Sequence, residues 1–454
     1  MQASHRVSAD FDDPNLVSVA GLVPVLRLGE QAGLHDLLGE HVRVPSPNPV
    51  AKSTCVVAGM LAGADSIDDL DVLRHGATDK VFSGIRAPST LGTYLRSFTH
   101  GHVGQLDAVS GRLLAGLAAR VPTLLAGADT MAYLDVDDTI RQVHGHAKQG
   151  AAFGYSGVRG LNAQLAIVST PMAAPVIAAA RLRGGNTASA KGGAKLVAQA
   201  LTTVRAAGAT GQVLLRADSA YYTRTMVAVA LRHKVWFSIT ARMNPQVNRT
   251  IAAIDEDAWT PIRYPNAVWD DDDNRWVSDA EVAETPITVF GSRRKTDEVT
   301  CRLVVRRVKR LNPANPDQGE LFDTYRHHAF ITNSKLSTVD ADAHHRDHAV
   351  VEQVIAELKD GPLAHLPSGK YAANAAWLAH AVIAFNLTRA AAAATPGHHR
   401  ARWATLRRRI INVPARIATS AGRLKLHLPE QWAWADAWQA LFAAATGPPG
   451  PATT

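Results

Sequence analysis

The pattern of apolar and polar positions divides the chain into regions of different period. Residues 15–125 carry apolar side chains at helical spacing between Gly and Pro breaks, which predicts a helical region. Within it, Pro88 to Phe98 reads as a capped helix. Ser89 is the expected N-cap, with Leu91, Leu95 and Phe98 facing inward and Thr93 and Arg96 outward. That helix is either the second of a helix-turn-helix or one more member of a bundle. After Val121-Pro122 the period shortens. Residues 132–143, 163–169 and 176–182 read as strands, 190–206 as a helix, and 211–217 and 235–240 as strands. Three strands, a helix, a strand, then helix and strand is the order expected of a ribonuclease-H-like core. From 241 to 335 short β runs alternate with polar breaks, at 285–290, 301–308 and 328–332. This block reads as an insertion ahead of a last core helix at 337–360.

The expected fold is therefore α/β. A ribonuclease-H-like mixed-sheet catalytic core is interrupted by a β-rich insertion, with a helical N-terminal domain and a basic helical C-terminal region. The expected segments are 1–125 (helical, DNA-binding), 126–240 (first part of the core), 241–335 (insertion), 336–395 (last part of the core) and 396–454 (basic C-terminal region).

Charge changes this picture locally. The formal net charge is +8, with 36 arginines against 12 lysines. Arginine suits bidentate phosphate contacts, and GC-rich coding also favours it. Residues 1–125 hold ten Lys and Arg against twelve Asp and Glu, whereas residues 361–429 hold ten Lys and Arg and no acid. The second stretch reads as an electrostatic footprint for a polyanion. The only cysteines, Cys55 and Cys301, allow neither a disulfide framework nor a paired-cysteine zinc site. The polar start of the chain is no signal peptide, and the apolar stretch 372–394 contains Asn374, His380, Asn386 and Arg389. It predicts a buried or amphipathic helix and no membrane partner. A cytoplasmic location is expected.

Carboxylates stand where strands should be apolar. In 132–143, alternation puts Asp135 and Asp137 on one face and Asp138 on the other. Two carboxylates on one face of a buried strand need a positive partner, and a divalent cation is the usual one. Asp218 ends the near-continuous apolar run Val213 to Ala217, so Asp137 and Asp218 can share an ion if the strands are neighbours. Asp135 is the alternative ligand to Asp137. Downstream, His345, His348, Glu352 and Lys359 fall on one helical stripe, while Asp347 and Glu357 point away. Glu352 is the carboxylate best placed to meet the aspartates, and Glu357 reads as a surface residue. The run Asp270 to Asp273, between Trp269 and Trp276, reads as a solvated loop. His144 and His146 read as turn residues or DNA contacts.

These residues carry a resemblance. The chain resembles the DDE transposases of bacterial insertion sequences, nearest to the insertion-sequence group thirteen-eighty, over about residues 15–390. The group's third motif reads Tyr-x2-Arg-x3-Glu-x6-Lys. The matching stretches are Asp137-Asp138-Thr139, Val143 to Gly150 with Phe153-Gly154-Tyr155, Arg181 to Asn186, Arg216-Ala217-Asp218-Ser219, and Glu352 with Lys359. His345 and His348 replace the family's Tyr and Arg. The resemblance implies two Mg²⁺ ions, with Mn²⁺ able to substitute, held by Asp137, Asp218 and Glu352. It implies DNA cleavage at the element's ends and transfer of the freed 3′-OH to target DNA, by a homodimer that pairs the two ends. His345, His348, Lys359, Arg402, Arg407, Arg408 and Arg409 are the expected DNA contacts. A nuclease that cuts without joining, and a DNA-binding remnant, are the rival readings.

Overall fold

The first helices form because their apolar residues recur on one face. The chain opens a short strand at Leu16–Val17 and continues through helices that include α1 (Pro49–Ala62), α2 (Pro88–Arg96) and α3 (His100–Arg120). Leu91, Tyr94 and Leu95 of α2 are buried and Thr93 and Arg96 exposed, a burial pattern common to both readings of this helix, and α2 packs against α1 among others. Its N-cap is Ala87, without a side-chain cap, and Ser89 lies inside the first turn. Pro88 stands in the first turn, where its fixed φ suits the helix and its missing N–H leaves one donor fewer to satisfy. The structure is a computed structural model and describes residues 6–262, 268–270, 275–277, 280–291, 295–309 and 325–447.

The sheet follows. Its long strands are β1 (Met131–Gln142), β2 (Arg159–Ser169), β3 (Val176–Gly184), β4 (Gln212–Ala217), β5 (Trp236–Thr240), β6 (Ala280–Val289), β7 (Val299–Lys309) and β8 (Tyr325–Thr332). Helix α4 (Gly193–Ala206) lies between β3 and β4, and α5 (Arg224–Arg232) between β4 and β5. The spatial order is β3-β2-β1-β4-β5-β8-β7-β6, with Thr260–Ile262 beyond β6 and Ala152–Phe153 sharing the edge of β2 with β3. Pairs β1–β4 and β4–β5 are parallel; the other pairs are antiparallel. Three antiparallel strands followed by two parallel to the first is an arrangement compatible with a ribonuclease-H-like core. The run 241–335 does not stand apart as a sheet of its own, because β8 pairs with β5 and continues the same sheet. Val268–Asp270 and Arg275–Val277 form a small hairpin with Trp269 opposite Trp276. Asp271 to Asn274 lie outside the described residues.

The chain then turns helical through α6 (Thr338–Arg346), a 3₁₀ turn (Asp347–Ala349) and α7 (Val350–Lys359). The single helix expected at 337–360 is thus tightened at its middle. Helix α8 (Tyr371–Ala393) is buried along almost its whole length. Among the described residues no helix is long and apolar enough to cross a membrane. The end of the chain is less helical than expected. A π-helical turn (Arg407–Ile411) leads into the hairpin of β9 (Ala415–Ser420) and β10 (Arg423–His427), and α9 (Ala435–Thr446) closes it. β9 also pairs with Leu16–Val17.

Two compact units result. One comprises Met1–Leu124, Val143–Gly150 and Ala356–Thr454; the other comprises Leu125–Gln142 and Ala151–Ile355. The sheet and the candidate site belong to the second unit.

Candidate active site

Two neighbouring parallel strands run out together. Val136 pairs with Ala217, so Asp137 and Asp218 follow at the same end of β1 and β4. β1 is buried through Val136 and half-buried from Asp137 onward. Asp218 caps the 3₁₀ turn Ser219–Tyr221, where its carboxylate accepts the Ala220 N–H at 3.0 Å. Burial raises the Asp137 carboxyl to about 6, only partly offset by the Asp138 N–H that it accepts at 2.7 Å, and the Asp218 charge adds to the rise. Burial also raises Asp218. Two neighbouring carboxyls raised by burial make this strand end a candidate functional site.

A cavity of about 400 Å³ opens beside them, lined among others by Asp137, Asp218, His345, His348 and Glu352. Glu352 is exposed, in the first turn of α7. The three carboxylates picked out in the sequence therefore share one cavity. Arg306 and Arg346 line the same cavity, and each bonds Asp342, at 2.7 and 3.0 Å. Hard carboxylate oxygens at strand ends suit Mg²⁺ or Mn²⁺. Among the described residues, however, no three His, Cys, Asp or Glu side chains are gathered closely enough to hold an ion as they stand. Carboxylate oxygens are the donor chemistry that suits a divalent ion.

Asp135 is committed elsewhere. It is fully buried and takes a bidentate contact from the buried Arg216, at 2.7 Å on each oxygen. Arg216 also donates to the His344 carbonyl at 2.7 Å and lies over the Tyr133 ring at 4.3 Å. His348 Nδ1 sits 2.8 Å from Asp135 Oδ1. Burial pushes the Asp135 carboxyl up, but Arg216 and His348 outweigh it and hold it below the ordinary value. On the other face of β1, Asp138 pairs with Arg183, whose guanidinium also reaches Asn162 and the carbonyls of Ala188, Ser189 and Lys191.

The histidines take different places. His345 stacks on Phe330, with ring centroids 4.1 Å apart. Its nitrogens meet Ser238 Oγ at 2.8 Å and Thr240 Oγ1 at 3.1 Å. Burial pushes its pKa down to about 3, so the ring is neutral near pH 7. His348 lines the cavity with Nδ1 turned to Asp135. Lys359 ends α7 and does not line the cavity.

Glu357 corrects an expectation: it is buried, not on the surface. It pairs with the buried Arg389 at 2.7 Å and accepts the Trp403 N–H at 2.8 Å. The other unit holds these residues together with Arg402 and Arg407–Arg409. Arg402 and Arg408 are exposed, Arg407 and Arg409 half-buried, and Arg409 covers the Trp434 ring at 4.8 Å.

Sequence reading assigns no role to Arg183 or Arg216, which lie within motif-matching stretches, and gives no sign of Arg306 or Asp342. A signal for Arg216 was present: it is the one charge inside an apolar strand, two residues before Asp218, as Asp135 is two before Asp137.

A family model, transposase DDE domain group 1, matches residues 1–446. The chain belongs to this family. No curated protein matches it. The strand-end aspartates Asp137 and Asp218 and the helix residue Glu352 line one cavity of this family member.

Proposed function

We propose that the protein cleaves DNA at the ends of an insertion sequence and transfers the freed 3′-OH into target DNA, using divalent metal ions. The observation that carries this reading is the register that releases Asp137 and Asp218 side by side into a cavity that Glu352 also lines. Asp137, Asp218 and Glu352 would hold Mg²⁺, with Mn²⁺ as substitute. When bound, such ions lower the pKa of the attacking oxygen and stabilise the leaving one.

The chain's own side chains have supporting tasks. Arg216, through Asp135, keeps β1, β4 and His348 in fixed relation. We assign His345 to holding that wall of the cavity, because both its nitrogens are bonded within the fold. His348 is the histidine left to face a phosphate. Lys359, Arg402 and Arg407–Arg409 contribute charge for the DNA backbone. Pairing of two DNA ends calls for a homodimer.

The test is Mg²⁺- or Mn²⁺-dependent cleavage of DNA carrying the element's ends, comparing wild type with Glu352→Gln. Nicking and joining in the wild type, lost in the variant while DNA binding survives, is the expected result. Nicking without joining favours a plain nuclease, and binding without any cutting favours a remnant. Equal cleavage by both proteins removes Glu352 from the ligand set.

A further inference from the structure

The C-terminal hairpin is amphipathic in an unusual sense: its outer face is basic. In the β9–β10 ladder, Arg416 lies opposite His427, Ala418 opposite Lys425, and Ser420 opposite Arg423. Residues directly opposite one another share a face of the sheet. Arg416, Arg423, Lys425 and His427 therefore stand on one face, and all four are exposed. Ile417, Thr419, Leu424 and Leu426 form the other face, where Ile417 is buried, Leu426 half-buried, and Thr419 and Leu424 exposed.

The hairpin is held firmly. Leu16–Val17 pairs with the start of β9, and the tip is a two-residue turn in which Ala421 and Gly422 both have positive φ, 49° and 73°. That turn matches the twist of the two strands. No carboxylate occurs between residues 361 and 429. The basic face meets one acid, Asp13, which pairs with Arg416 at 3.2 Å on a largely exposed site. Among the described residues, Arg423, Lys425 and His427 have no acidic partner.

We infer that the basic face of the β9–β10 hairpin is a docking surface for duplex DNA, tracking the phosphate backbone without reading sequence. Alternate residues of a strand stand about 7 Å apart, about two axial steps of a DNA strand. This places DNA contact on residues 416–427, beyond the arginine run at 407–409. It takes DNA as partner from the transposase reading and does not depend on the acidic cavity being a nuclease.

The experiment measures binding of the full chain to a fluorescent duplex of arbitrary sequence between about 50 and 200 mM salt. Arg423→Gln/Lys425→Gln should weaken binding and make the salt dependence of log K shallower by about 1.8, the loss of two phosphate contacts. Arg423→Lys keeps the charge and should keep the wild-type slope. Circular dichroism confirms that each variant is folded. An unchanged slope in the double variant, no duplex binding by the wild type, failure of the lysine variant to keep the slope, or tighter binding of single-stranded RNA overturns the inference. Absence of cleavage with the slope change intact would instead overturn the proposed function and leave the hairpin assignment standing.

Discussion

Asp135 and Asp137 are two residues apart on one strand face and are opposite in physical role. Asp135 is neutralised by Arg216, and its carboxyl is held low. Replacing it by alanine leaves a buried guanidinium without a counter-charge, so Asp135→Ala should cost about 3–5 kcal/mol in urea unfolding. Asp137 has no such partner, and burial lifts it to about 6. For a carboxyl raised in the fold, the associated stability is present below the unfolded value and lost as pH rises through the folded one. Its charge therefore weakens the metal-free protein at pH 7. Asp137→Asn should raise metal-free stability by on the order of 2 kcal/mol and should abolish stabilisation by added Mg²⁺. Thermal melts with and without Mg²⁺ check both statements. A fall in metal-free stability would mean that Asp137 is not a strained carboxylate.

At the level of elements, the strands were legible because they are short apolar or alternating runs between breaks. β1, β2, β3, β4 and β5 all lie within a few residues of where the pattern puts them. Asp137 and Asp218, which line the candidate cavity, stood out for the same reason, since a carboxylate in or at the end of an apolar strand is conspicuous. What was hidden depends on partners distant in sequence. Glu357 is polar and sits on an amphipathic helix, and only the buried Arg389, 32 residues on, explains its burial. The continuation of the sheet from β5 into β8 joins segments that local periodicity cannot connect. The hairpin β9–β10 is exposed on most of both faces, so its sequence carries little of the apolar alternation that marks a strand. Its turn carries a testable strain: Ala421 adopts φ 49°, which costs a residue with a Cβ. Asparagine tolerates this region and favours such a turn before glycine. Ala421→Asn should therefore stabilise the protein by about 1 kcal/mol, read as a raised urea midpoint at unchanged slope.

Each of the two units contains a buried neutral imidazole, and this sets how the whole molecule responds to acid. In one unit, His380 meets the Ala376 carbonyl at 2.8 Å and Ser53 Oγ at 3.0 Å, and Ser53 is bonded in turn to Tyr94 at 2.7 Å. Burial pushes His380 down to about 4. In the other, burial pushes His345 down to about 3. The unfolded chain takes up these protons near 6.5, while the folded units resist them. The stability that each imidazole contributes is thus fully present above 6.5 and falls as pH drops toward about 4 for His380 and about 3 for His345. Each histidine should contribute a slope approaching 1.4 kcal/mol per pH unit in its window, reaching about 3 kcal/mol for His380. Urea unfolding at several pH values between 7 and 4 measures it. His380→Gln and His345→Gln should each flatten part of the dependence, and the two effects should add, because the residues share no partner. A pH profile unchanged in both variants would show that the carboxylates, not the imidazoles, govern acid unfolding.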